Sequence, residues 1–381
     1  MLVNKGFKFS LLPNAEQAIL IEKTFGCTRL VYNHYLGIQK KLLEEGQYIQ
    51  SYTHMANDMK KMKHDEKEFL KEVDSTSLQQ VLRHLDKAYK NYFKDSNHYG
   101  EPQFKSKKTS KRSYTSMCVK RNIRIEDKHI VLPKLGKVRI KMHRQLPNNA
   151  RITSATVTKS ASGKYHVSLT CEYEIEDINR NLDKNKSIGL DYAMNGLYID
   201  SNGFCANYDR YYIQSLDKLQ KEQRKLSHCV KYSNNYYKQK RRISKTHEKI
   251  ANQRKDFLHK LSTQIANEVD IVCLEDLNMK AMSKCLNFGK SVHDNGWGMF
   301  TTYLSYKLKE QGKVMKKIDK WYPSSKTCHV CGYKFDDLEL KDRQWVCFEC
   351  GTIHKRDENS AINILKEGLR LLEEEKIVAF A

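Results

Sequence analysis

Two cysteine pairs, Cys328-His-Val-Cys331 and Cys347-Phe-Glu-Cys350, are separated by fifteen residues, and a glycine follows each at once, Gly332 and Gly351. The pattern C-x2-C-x15-C-x2-C with a glycine after each pair predicts two tight knuckle turns around one ion. Four thiolates complete a tetrahedral shell and leave no position open for substrate, so the expected ion is a structural zinc and the expected fold a zinc ribbon. His329 and His354 lie close by and are not needed as ligands. The other seven cysteines, Cys27, Cys118, Cys171, Cys205, Cys229, Cys273 and Cys285, stand singly among apolar or basic residues. Such spacing in a long chain reads as reduced thiols rather than a disulfide framework.

Three acidic residues carry the candidate chemistry. Asp191 ends the apolar segment Ser187-Ile-Gly-Leu-Asp, with an Asn195-Gly196 turn just beyond, which reads as the first strand of a hairpin. Glu275 closes Ile271-Val-Cys-Leu-Glu, an almost wholly apolar run that predicts a strand buried on both faces. Asp357 opens Asp-Glu-Asn-Ser-Ala-Ile-Asn-Ile, a helix start with acidic residues in its first turn. A carboxylate at the end of a buried strand is costly to leave unpaired, so convergence of the three calls for a cation. Magnesium is the expected one, and a carboxylate-held pair of ions about 4 Å apart can orient water and stabilise the leaving oxygen of a phosphodiester. A hairpin strand with Asp, a later buried strand ending in Glu and a late helix opening with Asp is the layout of a ribonuclease-H-type nuclease core.

Charge points to the substrate class. Across 381 residues, 68 Lys and Arg face 45 Asp and Glu, a net charge of +23 that favours a polyanionic partner, nucleic acid first. A membrane role is not expected, because no apolar run approaches the roughly 18 residues of a spanning helix and no signal-peptide core opens the chain. A cytoplasmic, nucleoid-associated location follows.

Along the chain, residues 1–12 alternate as a strand, and Asn14 with Gln17 forms a capping-box start for a helix that continues past Leu36. A second helical block is expected from about Ser51 to Phe93, with Leu78, Val81, Leu82, Leu85, Tyr89 and Phe93 on one face. Gly100, Pro102 and the run Lys105-Ser-Lys-Lys-Thr-Ser-Lys-Arg112 read as a basic, flexible loop leading into short strands of a small β-barrel or sheet out to about Tyr173. The first strand is expected to join that β domain, which makes the helices an insertion. Between Leu216 and Lys260 a strongly basic helical stretch interleaves Tyr232, Tyr236 and Tyr237, suited to backbone contact and base stacking.

With these segments in view, the chain resembles the TnpB family of transposon-encoded RNA-guided DNA endonucleases, relatives of compact type V CRISPR effectors, over nearly its whole length. The resemblance rests on Leu12-Pro-Asn-Ala-Glu-Gln17, Arg29-Leu-Val-Tyr-Asn33, Ile188-Gly-Leu-Asp191, Leu274-Glu-Asp-Leu277, Trp321-Tyr-Pro-Ser-Ser-Lys-Thr-Cys328 and His354-Lys-Arg-Asp-Glu-Asn-Ser-Ala-Ile-Asn363. It implies an α/β multidomain fold: a RuvC-like nuclease core (181–322 and 354–381) with a zinc-ribbon insert (323–353), and an N-terminal β-barrel wedge domain (1–12 and 101–180) carrying an inserted helical recognition lobe (13–100). It implies Asp191, Glu275 and Asp357 as the catalytic carboxylates, with Asp191 shared by both magnesium ions.

The same resemblance implies a noncoding guide RNA from the transposon end and a double-stranded DNA target cut next to a short adjacent motif, by one protein on one RNA. Tyr52, Ser75 and Gln79 correspond to motif-reading positions, and a Gln side chain can pair bidentately with adenine. One departure is Lys355, where the family usually has Asp; the register of Asp357-x-Asn359 is kept. Two other readings are a strand-transfer transposase, whose products would be joined rather than hydrolysed, and a guided DNA-binding regulator with weak nuclease. An intact acidic triad weighs against the regulator.

Overall fold

The structure, a computed structural model, describes residues 2–174, 182–194, 196–279, 281–282, 294–339 and 341–375. Asn195 of the expected turn, Cys285 and the tail beyond residue 375 lie outside the described residues. The chain divides into two compact units, residues 1–175 and 176–381.

In the first unit, β1 (Leu2–Leu12) buries Phe7, Phe9 and Leu11 on one face while Lys8 and Leu12 point outward, the period-two pattern of a strand. It becomes a central strand, antiparallel to β7 (Tyr165–Glu174) on one side and β5 (Gly136–Lys141) on the other. With β2 (Arg112–Met117), β3 (Arg124–Glu126), β4 (His129–Leu132) and β6 (Arg151–Lys159) it forms a sheet of order β2-β6-β7-β1-β5-β4-β3. The order runs from β2 at one edge to β3 at the other, the sheet of the barrel or sheet that the sequence suggests, where the family resemblance implies a barrel. The outer edge of β2 is met by a helix instead of a strand: the Met117 N–H donates to Thr76 Oγ1 at 3.0 Å.

Between β1 and β2 run α1 (Ala15–Glu44), α2 (Tyr52–Asp65) and α3 (Ser75–Lys94), the expected insertion. Asn14 and Gln17 close the capping box reciprocally at 2.8 and 3.1 Å. The expected single helical block from Ser51 is broken, because Asp74 accepts from the Thr76 and Ser77 N–H groups and starts α3 afresh after a short 3-10 turn at Glu68–Glu72. Tyr35, Leu36, Met55, Leu78, Leu82, Leu85 and Tyr89 fill the helical core.

The second unit is built on β8 (Ser187–Tyr192), β9 (Tyr198–Asp200), β10 (Ile271–Glu275) and β11 (Val314–Ile318) in the order β11-β10-β8-β9. β10 is parallel to both β8 and β11, and β8 and β9 form an antiparallel hairpin. Helices α4 (Tyr211–Gln214), α5 (Leu216–Ser227), α6 (Asn234–Glu268), α7 (Trp297–Glu310) and α8 (Arg356–Glu374) complete it, with β12 (Gln344–Val346) and β13 (Ile353–Lys355) paired in the ribbon.

The apolar run of β10 is explained by its two covered faces. Val272 and Leu274 pack with Leu258, Phe300 and Leu304 of α6 and α7, whereas Ile271 and Cys273 pack with Ile364 and Leu372 of α8. Two glycines bring α8 down onto the sheet. A Cβ on Gly189 would lie 2.1 Å from the Ala361 carbonyl oxygen, and one on Gly368 would lie 2.3 Å from Cys273 Sγ. No helix among the described residues is long and apolar enough to cross a membrane.

Candidate active site and metal centre

Parallel pairing of Leu190 with Leu274 brings Asp191 and Glu275 out at the same edge of the sheet, the carboxyl edge where open α/β sheets place their ligands. Asp357 is the second residue of α8, the helix seated on β8. Asp191 feels the other two carboxylates. Burial raises the Asp191 carboxyl well above its ordinary value, the charges of Glu275 and Asp357 raise it further, and Arg356 with the Ser360 hydroxyl counters only in part. Burial also raises Glu275, opposed by Ser324, whose hydroxyl donates to Glu275 Oε1 at 2.6 Å. Arg343 stands 3.5 Å from Asp357 Oδ2. A buried Asp191 raised by two neighbouring carboxylates, with arginines beside them, makes a site that favours added positive charge.

The four ribbon cysteines meet expectation more tightly. Their sulfur atoms all lie within 4.8 Å of one another, with Cys328 to Cys350 at 3.7 Å and Cys331 to Cys347 at 3.5 Å. Among the described residues this is the group whose ligand atoms gather closely enough for a single ion. The carboxylates sit on separate elements and are coupled through charge rather than drawn into one such shell. The Thr352 hydroxyl, 3.2 Å from Cys350 Sγ, and its backbone N–H lower the Cys350 thiol, while hydrogen bonds from the neighbouring sulfurs raise that of Cys331, so the four thiols titrate as one cluster. His354 is buried with Nε2 3.1 Å from Cys328 Sγ, a supporting contact to a ligand sulfur.

Sequence reasoning missed the strap that ties the ribbon to α8. Asn359 Oδ1 accepts from the His329 N–H at 3.0 Å, and Asn359 Nδ2 donates to the Thr327 carbonyl at 2.8 Å. Asn363 Nδ2 donates to the carbonyls of Ser324 and Thr327 at 2.8 and 2.6 Å. Ser360 Oγ donates to Ser324 Oγ at 3.0 Å, so a chain of hydroxyls runs from α8 to Glu275. Asn359, Ser360 and Asn363 are all buried, and three buried polar residues within one turn and a half of an otherwise amphipathic helix were the available signal. Lys355 is exposed and pairs with Glu358 at 3.6 Å; the cation beside Asp357 is Arg343.

In the first unit, Ser75 and Gln79 fall one turn apart on α3, with Arg83 a turn further, and the Arg83 guanidinium lies 4.6 Å over the Tyr52 ring. Tyr52, Ser75 and Gln79 therefore share one surface of the α2–α3 pair, where the Ser75 hydroxyl accepts from Lys63 at 2.7 Å. In the second unit, Tyr232 and Tyr237 are exposed at the α5–α6 tip, with Tyr236 between them at 6.1 and 5.6 Å.

A protein of Streptomyces pristinaespiralis named for RNA-guided DNA endonuclease activity is 35% identical over 96% of this chain and 90% of its own length. The chain belongs to the TnpB family. InsQ of Escherichia coli K12, named likewise, is 31% identical over 97% of this chain and 93% of its own. Family models match in three places: “Probable transposase” over 170–286, “Cas12f1-like, TNB domain” over 297–364 and “Helix-turn-helix domain” over 1–47. The first spans Asp191 and Glu275, and the second spans the cysteines and Asp357. Residues 2–44 here form one strand and one unbroken helix after Pro13-Asn14, with no turn between two helices. Among solved structures, a cryo-EM Cas12f1-sgRNA-target DNA complex matches the fold with a TM-score of 0.58 at 13% identity, covering 96% of this chain and 99% of that one.

Proposed function

We propose that this chain is an RNA-guided DNA endonuclease that hydrolyses target DNA at Asp191, Glu275 and Asp357. The observation that carries the reading is geometric: parallel pairing of β8 with β10 brings Asp191 and Glu275 to one sheet edge, and α8, seated on Gly189, carries Asp357, within a strongly basic chain. The TnpB-family relatives named for that activity support it. Magnesium bound there supplies orientation of water and stabilisation of the leaving oxygen. Asp191, Glu275 and Asp357 would hold the magnesium, Asp191 in the shared role that the family resemblance implies. Ser324 aims Glu275 and opposes the rise that burial imposes on it, Ser360 does the same for Asp191, and Arg343 and Arg356 balance the negative edge. The ribbon holds one zinc on Cys328, Cys331, Cys347 and Cys350.

In this reading residues 1–12 with 101–180 are the wedge domain, 13–100 the recognition lobe, and 181–322 with 354–381 the RuvC-like core around the 323–353 ribbon. A noncoding guide RNA supplies sequence recognition by base pairing, and the protein reads the heteroduplex shape and a short adjacent motif. Tyr52, Ser75 and Gln79 are the proposed motif readers, and one protein on one RNA works in the cytoplasm.

The match described as “Probable transposase” favours a second reading, strand transfer from the same carboxylates. Incubating the RNA-loaded protein with end-labelled target in magnesium separates them. Hydrolysed 5′-phosphate ends that vanish with Asp191→Ala, while RNA and target binding persist, support the nuclease; joined strands identify the transposase.

A further inference from the structure

The ribbon and the carboxylate edge meet through one short turn. Ser324 stands at its start and holds Glu275 Oε1 through its hydroxyl at 2.6 Å, and Cys328 of the four-sulfur cluster stands at its end. The turn is closed on itself, because the Lys326 and Thr327 N–H groups and the Thr327 hydroxyl all donate to the Pro323 carbonyl at 2.9–3.1 Å. Asn363 of α8 brackets both ends, its Nδ2 donating to the Ser324 carbonyl at 2.8 Å and to the Thr327 carbonyl at 2.6 Å. Asn359 adds a second bond to the Thr327 carbonyl at 2.8 Å and reaches past Cys328 to accept from the His329 N–H at 3.0 Å. Ser324, Cys328, Asn359 and Asn363 are all buried, so water does not compete for these bonds. A displacement of Cys328 is therefore passed to Ser324 as a unit.

The ribbon has little besides an ion to hold Cys328 in place. Its buried apolar cluster is Leu338 and Trp345 together with the ligands Cys328 and Cys347 themselves, and a core this small depends on its metal to fold. Without a cation between them, the four sulfurs lose what gathers them within 4.8 Å, and the Cys328 end of the turn is released. We propose that Asn363, with Asn359, is a positioning residue that couples the two metal sites: an occupied ribbon keeps the Ser324 hydroxyl on Glu275, and emptying the ribbon weakens divalent-cation binding at Asp191, Glu275 and Asp357. Neither asparagine is a proposed ligand of either site. The inference rests on the reading of those carboxylates as a cation site and needs neither RNA nor cleavage. Coupling between two sites is reciprocal, so a cation at the carboxylates tightens zinc by the same factor, typically about 5–150-fold.

Manganese, which shares the oxygen preference of magnesium, is titrated into the full-length RNA-free protein and followed by electron paramagnetic resonance, with Asp191→Ala supplying the background. Wild type is compared zinc-loaded and zinc-stripped, and Asn363→Ala is measured zinc-loaded. In parallel, zinc transfer to a colorimetric chelator is followed with and without magnesium. The expected result is Asp191-dependent manganese binding that weakens at least about 5-fold on zinc removal, and by a similar factor in zinc-loaded Asn363→Ala. Magnesium should hold zinc tighter by that factor in wild type and not in Asn363→Ala, a loss of linkage that a merely structural asparagine does not produce. If the stripped protein or the variant fails to fold, zinc transfer from folded wild type and Asp191→Ala decides alone. Asp191-dependent manganese binding that ignores zinc, with zinc transfer that ignores magnesium, overturns the coupling and leaves the cation site standing. Absence of any Asp191-dependent manganese binding overturns both.

Discussion

Replacing Gly189 by alanine asks whether the proposed site depends on the seating of α8. The added Cβ would sit 2.1 Å from the Ala361 carbonyl oxygen and 2.9 Å from both Leu365 N and Leu365 Cβ, against an ordinary contact distance of at least 3.4 Å. Two of those three atoms are helix backbone, so relief requires α8 to lift from β8 by roughly 1 Å rather than a side chain to turn. Overpacking usually costs about 1–3 kcal/mol, and the backbone collision places this case at about 3 kcal/mol or more. Asp357 rides on α8 and Asp191 on β8, so the same shift separates two of the three carboxylates, and a 1 Å misplacement can cost about 10²-fold in rate. Urea unfolding should show a lower midpoint, and target cleavage by the RNA-loaded protein should fall about 100-fold. Gly298→Ala is the control: nothing lies within 4 Å of its Cβ in α7, and it should leave stability equal or higher by about 0.5–1 kcal/mol. Wild-type stability and cleavage in Gly189→Ala would refute the close-seating account.

Three further outcomes follow from the same residues. Ser324→Ala removes the hydrogen bond that opposes the rise of Glu275, so Glu275 holds its proton to higher pH and the rising limb of the pH–rate profile should move up; an unmoved limb separates Ser324 from Glu275. In metal-free protein, Asp191 binds more protons folded than unfolded because its pKa is raised above its ordinary 3.8, so its contribution to stability falls as pH climbs from that value. The stability of wild type minus that of Asp191→Asn should therefore decline from about pH 4 towards neutrality, and a flat difference in urea midpoints speaks against the coupled carboxylates. Cys347→Ser should take zinc from one ion per chain to none and lower the melting temperature, measured by metal analysis and thermal unfolding; full zinc retention would exclude Cys347 from the ligand set.

Much of the site was legible because its signals are local. The apolar run at Ile271–Glu275, the capping box at Asn14 and Gln17, and the cysteine spacing each depend on residues close in sequence, and each takes its expected form. The break before α3 was hidden because an apolar stripe continues across it, while the Asp74 cap that restarts the helix is a single polar residue. The Ser360–Ser324–Glu275 chain was invisible for a different reason: it joins residues 36 and 49 positions apart, and nothing in either neighbourhood announces the other. The basic run at 105–112 looked flexible by composition, since its order comes from Asn33, 72 residues earlier.

The most direct test of the central claim is magnesium-dependent cleavage of a plasmid library by the protein purified with its co-expressed flanking RNA, the guide-matched target bordered by randomised bases. The account predicts cut ends confined to one bordering motif and absent with Asp191→Ala. Cutting that persists in Asp191→Ala, or motif-dependent binding with no cutting by the wild type, would contradict it.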